Sequence, residues 1–224
     1  MASTFFGLHI GSSALSSFQV ATNTTANNIA NVKTTGYTRQ EATLQAKDAI
    51  NVTARYGSVG TGVTVTSIKQ QRDLYYDNKY WENNSCYGRY EQKLYYMEQI
   101  QNYFKDNGSS VKGFSSVFSQ MFSDLDTLRS KPSDKTVRNQ FISSAQSLCT
   151  YFNQMSDNLS KLQDDCNEEI RNNVDKINSI SEKISLLNKE INQIETGTGV
   201  EAGSLRDERA NLIDSLSKIV NEIG

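Results

Sequence analysis

The chain has 224 residues, a formal net charge of −2, 37% hydrophobic residues and a single proline, Pro132. Such a balance lacks the basic face that phosphate neutralisation needs, so no nucleic acid is expected as a partner. One histidine, His9, and three cysteines without CxxC spacing cannot complete a zinc set, and no apolar run reaches the ~20 residues of a membrane span, so neither metal, cofactor nor membrane is expected.

The first 32 residues contain no Asp, Glu, Lys or Arg; Lys33 is the first. A Sec signal would need a basic start and a compact apolar core, and here Ser, Thr and Asn interrupt the apolar residues throughout. A heptad runs from Leu8 through Leu15, Thr22 and Ile29, with Gly11, Phe18 and Thr25 at the second position. Gly and Thr in that seam bury little apolar area, so the helix is expected to need partner helices and to be disordered in a monomer. The Thr34-Thr35-Gly36 stretch is a stop signal, which gives an assembly helix over 1–36.

Residues 37–68 change period. Tyr37 to Ala46 and Ile50 to Tyr56 read as extended, Gly57, Gly60 and Gly62 as turns, and Val63 and Val65 alternate with threonines as in a half-buried strand. The glycine run is not a phosphate loop, because its spacing is wrong and a strand follows. From Lys69 the helical period returns. Tyr76, Tyr80, Tyr87, Tyr90, Leu94, Met97 and Phe104 share one stripe, and eight of the eleven tyrosines lie between Tyr75 and Tyr103. This aromatic stripe is expected to be an interhelix core rather than a ligand platform.

An Asn107-Gly108 turn comes next, then a short amphipathic helix with Phe114, Val117, Phe118, Met121, Phe122, Leu125 and Leu128, where the main core of a helical domain is expected. Pro132 turns the chain into a second long helix near 134–195, whose steps of three and four stutter at Cys166, Ile170 and Val174. A glycine-rich loop at 196–204 and a last stripe through Leu205, Arg209, Leu212, Leu216 and Ile219 imply an antiparallel hairpin. Cys86, Cys149 and Cys166 are expected as buried thiols in helix seams. Asp164, Asp165, Glu168 and Glu169 are expected on a solvated face. The fold class is therefore mainly α: a long antiparallel helical bundle or coiled coil over 69–224, with a small β-containing segment after the N-terminal helix. His9 has no credible triad partner, so no enzyme is expected.

Residues 14–40 read ALSSFQVATNTTANNIANVKTTGYTRQ. Ala14, Leu15, Asn27, Asn28, Ile29, Ala30, Asn31, Thr35, Gly36, Tyr37 and Arg39 resemble the N-terminal signature of flagellar rod, hook and hook-associated families, with Thr35 where those families often carry proline. The run from Gly60 to Val65 leads past Gln71-Arg72-Asp73 into heptad helix, an order that resembles the hook-associated protein 1 family. Leu205, Asp207, Arg209, Leu212 and Ile213 also resemble a helical pattern of that family. The resemblance implies an axial protein of the hook–filament junction, exported by the flagellar type III apparatus, with an export chaperone, to the outside of the cell. It implies packing as a ring or tube layer with copies of itself, the hook protein and the next hook-associated protein. It further implies an N-terminal helix in the inner layer, paired with a C-terminal helix of the same chain. No second neutral seam occurs before Gly224, so the C-terminal remainder of that architecture is expected to be missing. Within this frame Leu15, Phe18 and Ile29 are the expected knobs of subunit contact. Asn27, Asn28 and Asn31 are the expected cross-subunit hydrogen bonders, Gly36 the turn out of the layer, and Tyr37 and Arg39 part of the same contact. Asn28→Asp is expected to spare the folded chain and impair assembly. The alternatives are another axial protein (rod, hook or hook-associated protein 3) or a generic secreted coiled-coil protein.

Overall fold

The structure is a computed structural model that describes residues 5–51, 57–105 and 113–220. The elements in chain order are α1 (Phe6–Ala30), β1 (Gln40–Ala46), β2 (Ile50–Asn51), β3 (Ser58–Val59), β4 (Val63–Gln70), α2 (Leu74–Tyr103), α3 (Phe114–Ser130), α4 (Lys135–Thr198) and α5 (Gly203–Ile219). The mainly helical order with a small β segment after the first helix is the one the periodicities predict. Helix α1 stops at Ala30, six residues before Gly36, and turns carry the chain from Asn31 to Gly36. The Asn107-Gly108 turn lies outside the described residues. No described helix is long and apolar enough to cross a membrane.

The chain divides into two compact units: residues 1–85 with 177–224, and residues 86–176. In the first unit β1 and β4 pair antiparallel from Gln40↔Gln70 to Ala46↔Val63, with a register shift at Thr43/Leu44. Helix α1 lies on this ladder, and its less exposed positions are Phe6, Ile10, Ser13, Ala14, Ser17, Val20, Ala21, Thr24 and Asn28. These recur at steps of three and four, so they form one face, but the residues are mostly small or polar. Small side chains let the helix approach the strands closely. Ser17 is buried and its hydroxyl donates to the Val63 carbonyl at 3.2 Å. Gly62 has φ +104°, and a Cβ there would lie 2.2 Å from Ser13 Oγ, so only glycine fits under α1.

The heptad expected to be the seam of α1 points the other way. Leu8, Leu15, Phe18 and Ile29 are 70%, 72%, 60% and 68% exposed. Helix α2 shows the same inversion. Its tyrosine stripe, with Leu94, Met97 and Phe104, is exposed rather than an interhelix core. In the first unit α2 packs through its polar side: the Trp81 indole donates to Asp214 Oδ1 (2.7 Å), Asn84 Nδ2 to the Asp214 carbonyl (2.9 Å) and Ser217 Oγ (2.8 Å), and Ser85 Oγ to the Val220 carbonyl (2.9 Å). These bonds to α5 fix the rotation of α2 and leave the tyrosines outward.

Among the described residues the buried hydrophobics are Met155 in the second unit and Leu187, Ile191 and Ala210 in the first. The phenylalanine stripe of α3 is an edge, not the centre of a core. Phe114, Phe118 and Phe122 stack along it at 5.1 and 4.7 Å between ring centroids, and Phe114 meets Phe152 at 5.9 Å. Yet Phe118 and Phe122 are 39% and 46% exposed. The stutter of α4 also falls off the packed face, which runs Cys166, Glu169, Asn173, Ile177 while Ile170 and Val174 are exposed. Glu169 therefore leaves the solvated cluster: it accepts from Gln92 Nε2 (2.8 Å) and from the Tyr96 hydroxyl. That carboxylate holds the Tyr96 phenol above its usual range, chiefly through their hydrogen bond. Cys86 and Cys149 are exposed and Cys166 is half-buried, all three as free thiols, because positions 86 and 149 fall on outer helix faces.

Candidate functional site

The segment after α1 is folded back on the helix by side-chain amides. Asn28 Oδ1 accepts from the Gln40 N–H at 2.9 Å and its Nδ2 donates to the Gln40 carbonyl at 2.8 Å. The pair copies the two-bond exchange of an antiparallel ladder, so one side chain extends the β1 edge onto the helix. The Tyr37 hydroxyl donates to Asn28 Oδ1 (2.8 Å) and accepts from Asn27 Nδ2 (3.1 Å). Asn31 Nδ2 donates back to the Asn27 carbonyl and side-chain oxygens at 3.0 and 2.9 Å. In this chain the amide of Asn28 makes three bonds, all of them internal: two to the Gln40 backbone and one to Tyr37.

Gly36 has φ +76°, and a Cβ there would lie 1.7 Å from Asn211 Oδ1 on α5. A side chain at 36 would be strained and would also have to displace the Asn211 side chain. The same end of the hairpin is held through Gln70. Its N–H donates to Glu201 Oε2 (3.0 Å), and its Nε2 donates to the Gly203 carbonyl (2.9 Å) and to buried Asp207 Oδ1 (2.8 Å). The α4–α5 corner is closed by Arg206 on Glu195 through two bonds of 2.7 and 2.8 Å, with the Ala202 N–H adding a third at 3.1 Å. The fork of Arg206 and these bonds hold the Glu195 carboxyl down to about 2, from an ordinary 4.5, and raise the Arg206 guanidinium further. Arg209 reaches Asn188 Oδ1 at 3.0 Å.

Two surfaces flank this clasp. One is the exposed ridge of Leu8, Leu15, Phe18 and Ile29, with Val32 beyond it. The other is an open groove of about 610 Å³ between α1 and β1, lined by Ala21, Thr25, Ile29, Val32, Tyr37, Arg39 and their neighbours. Leu15, Phe18 and Ile29 thus lie on a free face, whereas Asn27, Asn28, Asn31, Gly36 and Tyr37 belong to the fold-back, and Arg39 lines the groove. Sequence reading missed Ser17, Thr24, Gln70 and Asn211. The first two carried a signal, since small residues recur at helical steps through Ser13, Ser17, Thr24 and Asn28. Gln70 and Asn211 carried none.

The sequence model of the family described as flagellar hook-associated protein FlgK helical domain matches residues 97–222. The chain belongs to this flagellar hook-associated family. A second model, described as flagella basal body rod protein, matches residues 8–38, the segment that contains the fold-back. Flagellar hook-associated protein 1 of Bacillus subtilis (strain 168) is 34% identical over 226 residues, covering 99% of this chain and 44% of that protein. Those of Salmonella typhimurium (strain LT2) and Escherichia coli (strain K12) are 32% and 30% identical, each covering 93% of this chain and 37% of the relative. The chain therefore spans less than half the length of these relatives. As a member of a hook-associated family it is a flagellar component. Of the family-like helical pattern, Asp207 holds Gln70, Arg209 holds Asn188, and Leu205, Leu212 and Ile213 are half-buried on α5.

Proposed function

We propose that this chain is an axial structural component of the hook–filament junction that packs with copies of itself and lets the filament grow on the hook. The observation that carries the reading is the reversed polarity of α1: its small polar face is turned to its own strands and its apolar ridge to the outside. Exposed Leu8, Leu15, Phe18 and Ile29 offer an apolar contact surface to a partner helix. The absence of charge before Lys33 supports stacking, because an unpaired charge in a repeated contact would be buried in every layer.

In this reading α1 with its fold-back is the inner-layer module and gains its final order on assembly. The hook protein and the next hook-associated protein are the axial neighbours. The chain leaves the cell through the flagellar type III apparatus, with an export chaperone, and has no catalytic role. The test is the double variant Leu15→Asp/Phe18→Asp in the full-length protein. Both side chains are exposed in this chain, so the thermal stability of residues 1–224 carrying the same changes should shift by no more than ~0.5 kcal/mol per site. Junction assembly and swimming should be lost, with filament protein released into the medium. Normal filaments on that variant would overturn the reading.

A further inference from the structure

We propose that a cavity of about 280 Å³ between β4, α2 and α5 binds a carboxylate side chain from another stretch of polypeptide, with Arg209 as the receiving group. None of its lining residues is on α1, and all of them belong to the first unit. Charge supports the site first. Three guanidinium groups line it, Arg72, Arg206 and Arg209, against two carboxylates, Asp77 and Glu201. Arg72 is paired with Asp77, and Arg206 with Glu195 and Glu201. Glu201 also accepts from the Gln70 N–H at 3.0 Å. Arg209 is half-buried, yet among the described residues it has no carboxylate partner and donates only to the neutral Asn188 amide oxygen, at 3.0 Å. The lining is therefore one acid short of neutrality, and the missing charge belongs at Arg209. A guanidinium has five N–H donors, so enough remain for a two-bond fork on a carboxylate.

Size and walls narrow the ligand. The volume lies below the ~300–1,000 Å³ of ordinary small-molecule sites, the scale of a side chain rather than of a cofactor. Leu74, Trp81, Ala210 and Ile213 supply apolar walls for the methylene stem of an acid. The other polar donors are occupied: the Trp81 indole by Asp214, and the Gln70 amide by Gly203 and Asp207. A phosphate would bring about two negative charges beside Asp77 and Glu201, and a divalent cation would face Arg209; one carboxylate balances the site. The acid has two possible sources of the same chemistry, a neighbouring subunit or a more distant stretch of a full-length polypeptide.

The experiment uses Arg209→Lys in the full-length protein, with isotope-labelled and unlabelled copies mixed. A water-soluble carbodiimide condenses the introduced amine with a carboxylate in contact with it, water being taken up by the reagent, and mass spectrometry maps the amide formed. Expected is an adduct to an Asp or Glu other than Asp77, Glu195 and Glu201, in at least tenfold higher yield than from Ser204→Lys, an exposed position outside the cavity. Mixed-label adducts assign the acid to a neighbouring subunit and purely single-label adducts to the same polypeptide; both support the site. Adducts to Asp77, Glu195 or Glu201 alone, no adduct, or equal yield from Ser204→Lys would overturn it. Trp81, the single tryptophan, gives a second reading that needs no lysine. In the 224-residue chain butyrate should change its emission saturably where chloride at equal ionic strength does not, and Arg209→Gln should weaken that binding at least tenfold. A response that Arg209→Gln leaves unchanged would also overturn the site.

Discussion

Asn28 shows how much one side chain decides at the start of this chain. Its amide replaces a strand partner for Gln40 and is itself held by Tyr37. Asn28→Asp would turn a donor into a second acceptor facing the Gln40 carbonyl. Loss of that bond in a half-buried site should cost about 1–3 kcal/mol, read as a lower midpoint in urea. An unchanged midpoint would show that the fold-back does not depend on the amide. The importance of this residue was legible, because it sits in the flagellar signature. Its partner was not, since nothing in the sequence says that an amide at 28 will meet the backbone at 40.

Glu195 gives a second test at this scale. Its pKa in the folded chain lies near 2, below an ordinary 4.5, because Arg206 and the Ala202 N–H favour the carboxylate. A depressed acid contributes stability above its unfolded pKa and loses it as pH falls through the folded value. Urea midpoints should therefore decline between pH 4.5 and 2, and Arg206→Gln should flatten that part of the decline. Equal slopes for parent and variant would remove Arg206 as the cause.

At the scale of elements, periodicity located the helices and misjudged which way they face. A stripe of Leu, Phe and Tyr at helical spacing marks where contact is possible, not whose surface supplies it. In α1 and α2 the close intramolecular face is mostly small or polar, and hydrogen bonds such as Trp81 to Asp214 set the rotation. The large apolar side chains are left outside. The same reversal moves the energetic centre of the helical part. Leu187→Ala, at a buried position, should cost about 2–4 kcal/mol. Phe118→Ala, at the half-exposed edge of α3, should cost about 1–2 kcal/mol rather than the ~3–5 of a buried aromatic. Thermal and urea unfolding of the two variants give the order; a larger loss at Phe118 would restore α3 as the core.

At the scale of the whole molecule, the order of elements was legible because each change of period, from helix to strand at Tyr37 and back near Lys69, has a glycine or charged boundary. The division into units was not. Residues 86–176 form one continuous stretch, whereas the other unit is assembled from both ends of the chain, 1–85 and 177–224. Gln70 must find Glu201, Gly203 and Asp207, at separations of 131, 133 and 137 residues.

That clasp imposes a timetable. Drawing together two points some 130 residues apart carries a loop-closure term of about 4 kcal/mol beyond a fixed constant, and local contacts do not have to wait for it. A chain emerging from a narrow channel with its first residue leading would present α1 and the β1–β4 hairpin long before α5 arrives to lock them. Pulsed hydrogen exchange during refolding should find amides of 86–176 protected ahead of those in β1 and β4, and the opposite order would dismiss the timetable. The first segment out is then the last to be fastened. On passage through such a channel it would stay pliable until the strand end at Gln70 is gripped by α5.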